Sequence, residues 1–416
     1  MVRDYDVIVV GAGIAGLMTA ARLAMSGKRV AVFERGLIGA RSTAGNHGTI
    51  HSGALHARDH AEIVPACAEA VELFASAFPG ALVARGAYYF GRAACLAQHA
   101  AGWERLGCRF RWASGEELEG LFRRDRSRDL RFALVDDLAM SSRRVVTELL
   151  CLCWHLGVDV HPRAAVNDVL VERGEAVGVA LSGRGEVTAG EVVLCAGLGL
   201  RELAERRSLR MLDSLRPRFD MVAAFKASGL ERSIVSLEHG GPMIAPTAGG
   251  ALLASVHGGA QPLGHPHHRG SVPVVKMFEL VERMRFYFRD GLIGYHTGQA
   301  TMCSRMELDR GGPDAWGIEP RSAIVDHGRE DGIARLWTLV PGKLSLGFHA
   351  SRDLASRLLD APLGLPLPRA PLDRMIEADA IVEPSPFGAG AGGAPAAAAR
   401  GSAPAPSRAQ RASEPA

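Results

Sequence analysis

The turn Gly11-Ala12-Gly13-Ile14-Ala15-Gly16 is the first group of residues whose spacing serves a chemical end. A GxGxxG is informative between a strand and a helix, with an acid closing the next strand. This one follows Tyr5–Val10 (YDVIVV), opens a helix over 15–26 that stops at Gly27, and is answered by Glu34 after a strand at 29–33. Gly11 permits the tight turn, Gly13 admits a pyrophosphate against the backbone, and Gly16 lets helix and strand pack closely. The helix N-terminus offers unpaired N–H groups to the phosphates. Glu34 is placed to accept hydrogen bonds from an adenosine ribose. The fingerprint does not separate FAD from NAD. It stands once, near the start of the chain, and no second copy appears mid-chain as it would in a pyridine-nucleotide flavoreductase. A second segment, 188–199 (TAGEVVLCAGLG), is a strand running into Ala196-Gly197, a shape that brings backbone against the cofactor again.

These residues need a frame. The pattern predicts helices over 63–78 and 148–156, and strands at Asp159–His161, Val166–Glu172, 176–181 and 191–195. Segments 222–225, 243–246 and 251–255 suggest an antiparallel sheet, and 274–290 an amphipathic helix. A strand at 335–339 leads into Pro341-Gly342-Lys343 and a helix near 349–359. From Gly388 the chain is almost free of large apolar residues, so 388–416 is expected to be a disordered tail.

The 416 residues are 47% hydrophobic, enough for two or three packed units. Lys plus Arg number 48 against 45 Asp plus Glu, and a net charge of +3 gives no reason to expect a nucleic-acid partner. The seven cysteines, with Cys151 and Cys153 as CxC, match no metal pattern and read as buried small hydrophobes in a reducing compartment. No apolar run reaches the roughly 18 residues of a transmembrane helix. No signal peptide is recognisable, so a cytoplasmic protein is expected. His257, His265, His267 and His268 lie in a Gly/Pro-rich stretch without a nearby carboxylate; they read as a surface loop, and no metal is expected. Glu307 and Asp309 read as solvated loop charges.

The segment 41–56 (RSTAGNHGTIHSGALH) is more specific. With its Asn-His-Gly-x-x-His-Ser-Gly core it resembles the FAD-dependent glycerol-3-phosphate dehydrogenases of the anaerobic type, and also L-2-hydroxyglutarate oxidases. Both belong to the D-amino-acid-oxidase-like (DAO) flavoproteins. GAYYF at 86–90, the 188–199 segment and LVPGKLS at 339–345 fit the same resemblance, which spans residues 5 to about 360. It implies an α/β fold: a Rossmann-like, doubly wound FAD-binding domain from 1–84, 141–215 and 317–387. An antiparallel-sheet α+β substrate domain would come from 85–140 and 216–316.

The resemblance also implies roles. Ser42, Thr43, Asn46, His47 and Gly48 would line the pyrophosphate, ribityl chain and isoalloxazine. Ile14, Ala15, Arg35, Val166, Ala196 and Gly197 would add further cofactor contacts. Gly342, Lys343, Leu344 and Ser345 would sit at the pyrimidine edge, where N–H groups and the lysine charge stabilise negative charge developing on reduction. His51 is the expected proton acceptor. The family's two phosphate-gripping arginines are replaced by Leu55 and Glu319, with Arg321 nearby and Tyr89 on the substrate side. Glycerol 3-phosphate itself is therefore not expected as substrate. The expected activity is FAD-dependent oxidation of a hydroxyl-bearing carbon in a small polar molecule. Electrons would pass on to oxygen, a quinone or a partner protein. An amine or amino-acid oxidase and a non-catalytic flavin-bound subunit are the alternatives; the presence of His51, Gly342 and Lys343 favours an enzyme.

Overall fold

The computed structural model describes residues 3–262, 272–309 and 321–387. Tyr5–Val10 and Val30–Phe33 form as expected, because runs of buried β-branched and aromatic residues are stable only when covered on both faces. They lie in a sheet whose order is Ala323–Asp326, Leu336–Val340, Gly185–Leu194, Tyr5–Val10, Val30–Phe33, Asp159–His161. Along this order the pairs are parallel except at the outer 323–326 edge, and the start of Gly185–Leu194 also pairs antiparallel with Glu175–Leu181. One face is covered by the helices Ile14–Met25, Ser142–His155 and Gly347–Leu359. The other is covered by the hairpin Val166–Glu172/Glu175–Leu181 and the short helix Leu200–Arg206.

The second sheet runs Gln261–Pro262, Leu215–Ala227, Ala251–Val256, Pro242–Pro246, Ser233–Ser236, Leu82–Arg92, Leu130–Met140, Thr49–Ile50. Ile293–Leu308 pairs with Leu215–Ala227, and Phe110–Ala113 with Leu130–Met140. All pairs are antiparallel except Leu82–Arg92 with Ser233–Ser236. Val274–Tyr287 packs Leu280 and Met284 onto this sheet, beside Phe288 and Phe122.

The sequence reading of Glu307 and Asp309 is corrected here. Glu307 is buried within the strand Ile293–Leu308, with Arg218 at 2.8 Å and Arg305 at 2.8 Å from its two oxygens. Two guanidiniums make that burial tolerable. Asp309 lies 3.7 Å from Arg216 and is nearly covered. All seven cysteines are free thiols; Cys67, Cys151, Cys153 and Cys303 are buried as expected, whereas Cys95, Cys108 and Cys195 are partly exposed. Among the described residues no helix is long and apolar enough to cross a membrane. Glu319, His265, His267, His268 and the tail 388–416 lie outside the described residues.

Candidate active site

The three glycines of the first turn serve different ends. Gly11 has φ +104°, and a Cβ there would stand 2.6 Å from the Cys195 carbonyl oxygen. A Cβ on Gly16 would collide with the Gly11 carbonyl, so Gly16 lets helix and strand approach. Gly13 is different. Its φ is −75°, open to any residue, and a Cβ would meet only Thr43 Oγ1 at 3.4 Å. Protein packing does not require this glycine; the space in front of it is left for a ligand. The helix it caps has no side-chain cap and no acid in its first turn, so its N–H groups remain available to an anion. Glu34 accepts from Ala12 N–H at 3.0 Å and Gly36 N–H at 2.9 Å, which fixes the carboxylate beside the turn.

In front of Gly13 lies a cleft that runs from the glycine turn and Glu34 to His51 and Lys343. Five stretches converge on it, the glycine turn, 40–51, 195–200, 303–306 and 339–347, with Glu34 and Arg35 beside them. They are tied together. Ser42 Oγ donates to the Ser304 carbonyl, and His51 N–H donates to Ser345 Oγ at 2.9 Å. Gly342 and Gly197, at φ +69° and +54°, bend backbone around the rim in conformations that favour glycine.

At the inner end is a buried His–Asp pair. His51 Nδ1 lies 3.0 Å from Asp137 Oδ2, and Tyr89 donates to the same oxygen at 2.7 Å. Asp137 Oδ1 accepts from both Ser52 N–H and Ser52 Oγ at 2.7 Å. Burial acts to raise the Asp137 carboxyl, but the hydrogen bonds from His51 and Ser52 outweigh it and hold it below the usual carboxylate range. The ionised Asp137 fixes the proton on His51 Nδ1 and leaves Nε2 as the free base position.

Lys343 also lines the cleft, where burial, then repulsion from Arg305, lowers its pKa to about 8 against the pull of Asp220 and Glu307. Arg305 is held by both of those carboxylates. His47 bonds Thr49 Oγ1 at 2.9 Å, and burial followed by repulsion from His51 lowers it to about 3. Cys195 and Cys303 line the cleft too, but burial pushes both thiols up to about 12, so neither is a nucleophile at neutral pH.

The structure brings Gly11, Gly13, Ile14, Ala15, Glu34 and Arg35 to this cleft. Ser42, Thr43, Asn46, His47, His51, Ala196 and Gly197 join them, with Gly342, Lys343, Leu344 and Ser345 opposite. Gly16 and Gly48 lie behind the wall; a Cβ on Gly48 would collide with the Met140 carbonyl. Val166 packs against the apolar layer on the far face of the parallel sheet. Tyr89 is fully buried and reaches Asp137 rather than open space. Leu55 packs with Ala54, Tyr89 and Trp103. Arg321 is exposed and pairs with Glu62 at 2.9 Å. Sequence reasoning missed Asp137 and Arg305. Asp137 carries a signal in retrospect, as an ionisable residue inside a strand of otherwise largely buried residues; the strand that holds Arg305 is mostly half-buried and carries none.

A family model described as FAD dependent oxidoreductase (DAO) matches residues 6–315. Among curated proteins none matches the sequence. Solved structures do. Glycine oxidase from Geobacillus kaustophilus superposes with TM-score 0.68 at 20% identity, over 89% of this chain and 97% of its own. NikD, an unusual amino acid oxidase essential for nikkomycin biosynthesis, gives 0.71 at 18%, over 89% and 98%. L-proline dehydrogenase from P. horikoshii gives 0.70 at 15%, over 88% and 96%. At these identities the likeness establishes the shared fold.

Proposed function

The chain belongs to the FAD-dependent oxidoreductases of the DAO family, and from that premise we propose that it oxidises a hydroxyl-bearing carbon of a small polar substrate, with His51 as proton acceptor. The residues fit FAD. Gly13 keeps open the space a pyrophosphate needs, Glu34 stands fixed beside the turn for a ribose, and one cleft joins both to His51 and Lys343. Backbone at 342–345 and the Lys343 ammonium would hold the end of the cofactor nearest His51. Bound FAD supplies the two-electron acceptor that no amino-acid side chain provides.

The His51–Asp137 pair carries the reading. An alcohol cannot give up a hydride without losing its O–H proton, and a hydroxyl is far too weak an acid to lose it unaided. His51 Nε2 takes that proton, and the Asp137 carboxylate stabilises the imidazolium that forms. Tyr89 and Ser52 hold Asp137 in place. Lys343 contributes positive charge where negative charge develops. A hydroxyl substrate needs such a base at every turnover, whereas an amine needs it only when it arrives as the ammonium ion, so the pair supports a hydroxyl substrate.

The structural relatives named above include amino acid oxidases. An amino acid and a 2-hydroxy acid alike would need a cation for the carboxylate, so that group does not separate them; Arg305 in the cleft is engaged by Asp220 and Glu307, and Lys343 lines the cleft as well. Leu55 in an apolar cluster and Arg321 on Glu62 give no grip for a phosphate dianion, which argues against glycerol 3-phosphate. The test is His51→Ala. With FAD retained, substrate-driven flavin bleaching should slow by roughly 10²–10⁴-fold. An unchanged rate would remove His51 from the reaction.

A further inference from the structure

His51 must be emptied of its proton after each turnover, and its surroundings offer few ways out. Asp137 behind it is fully buried and saturated by four donors. His47, on one side with ring centroids 6.1 Å apart, is tied to Thr49 and ends inside the cleft. On the other side stand two more imidazoles in series. His56 lies edge-on to His51 at 5.7 Å between centroids, and His60 lies 6.2 Å beyond His56. The three rings lead outward: His51 and His56 are buried, while the His60 side chain is 26% exposed, with Nδ1 3.8 Å from Glu62. His56 Nε2 is buried with no hydrogen-bond partner. An unpaired ring nitrogen between two histidines is costly to keep unless it is used.

We propose that His56 and His60 form a proton exit for His51. The inference rests on His51 acting as the proton acceptor. The N–H bond at His51 Nε2 breaks as one nitrogen of His56 gains the proton. The other His56 nitrogen gives up its own proton to His60, and His60 passes a proton to bulk water. His56 returns as the opposite tautomer, so no net charge stays inside. Each gap is closed by a ring rotation or one bridging water. Burial, and after it the facing cationic or titratable groups Lys343, His51, His60 and His257, hold His56 well below the ordinary histidine range. His56 therefore carries a proton in passing and rests neutral. The closely turned segment supports the geometry, with His56 N–H on the Gly53 carbonyl at 2.9 Å and His60 N–H on the His56 carbonyl at 2.7 Å.

The test needs no substrate. In FAD-loaded protein labelled with ¹⁵N-histidine, the Asp137-bound ring proton of His51 exchanges with water only as fast as a proton reaches Nε2. His56→Phe, which keeps a flat ring without nitrogen, should slow that exchange tenfold or more at unchanged FAD content. His56→Ala should be slowed likewise and restored by added imidazole, a rescue that a packing role would not give. His60→Gln, at the surface, should slow exchange by a smaller factor and tests the path if the His56 variants fail to fold. Exchange at the wild-type rate in the folded variants would overturn the exit. The parent reading fails separately, through wild-type flavin bleaching in His51→Ala.

Discussion

Replacing Asp137 by asparagine probes the site more sharply than any change at the cleft surface. The carboxylate accepts hydrogen bonds from four donors: His51 Nδ1, Tyr89 OH, Ser52 N–H and Ser52 Oγ. An amide has one oxygen and one NH₂, so one pair of donors must meet another donor. The Ser52 N–H cannot turn away, whereas the Tyr89 hydroxyl can rotate and His51 can change tautomer. The amide oxygen should therefore stay with Ser52 and the NH₂ face His51. The proton then moves to His51 Nε2, and the base position is lost. Flavin reduction should fall by roughly 10²–10⁴-fold, the range ascribed to a general base, although His51 itself is untouched. Stability should fall as well. Hydrogen bonds to a charged group contribute about 1.5–3 kcal/mol each, and two are compromised, so about 3 kcal/mol is the least expected. The pH dependence has a sign. Because Asp137 is held below the ordinary carboxylate range, it stabilises the fold at neutral pH, and that stabilisation fades as pH falls below about 4. The asparagine variant should lack that part of the acid sensitivity. Stopped-flow flavin bleaching and thermal unfolding across pH are the assays. A variant with wild-type reduction rate and melting temperature would refute the whole arrangement around His51.

Gly13→Val should purify folded and without FAD, because only Thr43 and open space face that position, whereas Gly48→Ala should fail to fold or melt far lower because Met140 backbone blocks it; flavin absorbance and circular dichroism separate the two outcomes. Lys343→Met should keep FAD but slow its reduction, and the wild-type rate should fall as pH rises through about 8, where the ammonium loses its charge; a flat alkaline limb would exclude it. Deleting 388–416 should leave melting temperature and flavin content unchanged, since that composition cannot build a core.

Much of the frame was legible because its signals are local. The strand–turn–helix at 5–25 and the hairpin at 166–181 follow from apolar runs and glycine stops. The long strands Leu82–Arg92, Leu130–Met140 and Ile293–Leu308 were recognised at most in fragments, since charged and apolar residues mix along them and only their neighbours in the sheet explain the pattern. Those strands supply what was missed. Asp137 follows Asp136, and alternation along the strand sends one to Arg85 at the surface and the other to His51. Nothing local tells the two apart. Glu307 likewise looks like a loop acid until Arg218 and Arg305 are placed beside it.

The most direct measurement mixes the purified yellow protein, without oxygen, with matched hydroxyl and amino compounds: 2-hydroxy acids, polyols, the corresponding amino acids and glycerol 3-phosphate. The account predicts that a hydroxyl compound bleaches the flavin, that His51→Ala abolishes most of that rate, and that glycerol 3-phosphate does not act at micromolar concentration. Bleaching by amino acids alone, at a rate His51→Ala leaves unchanged, would contradict it.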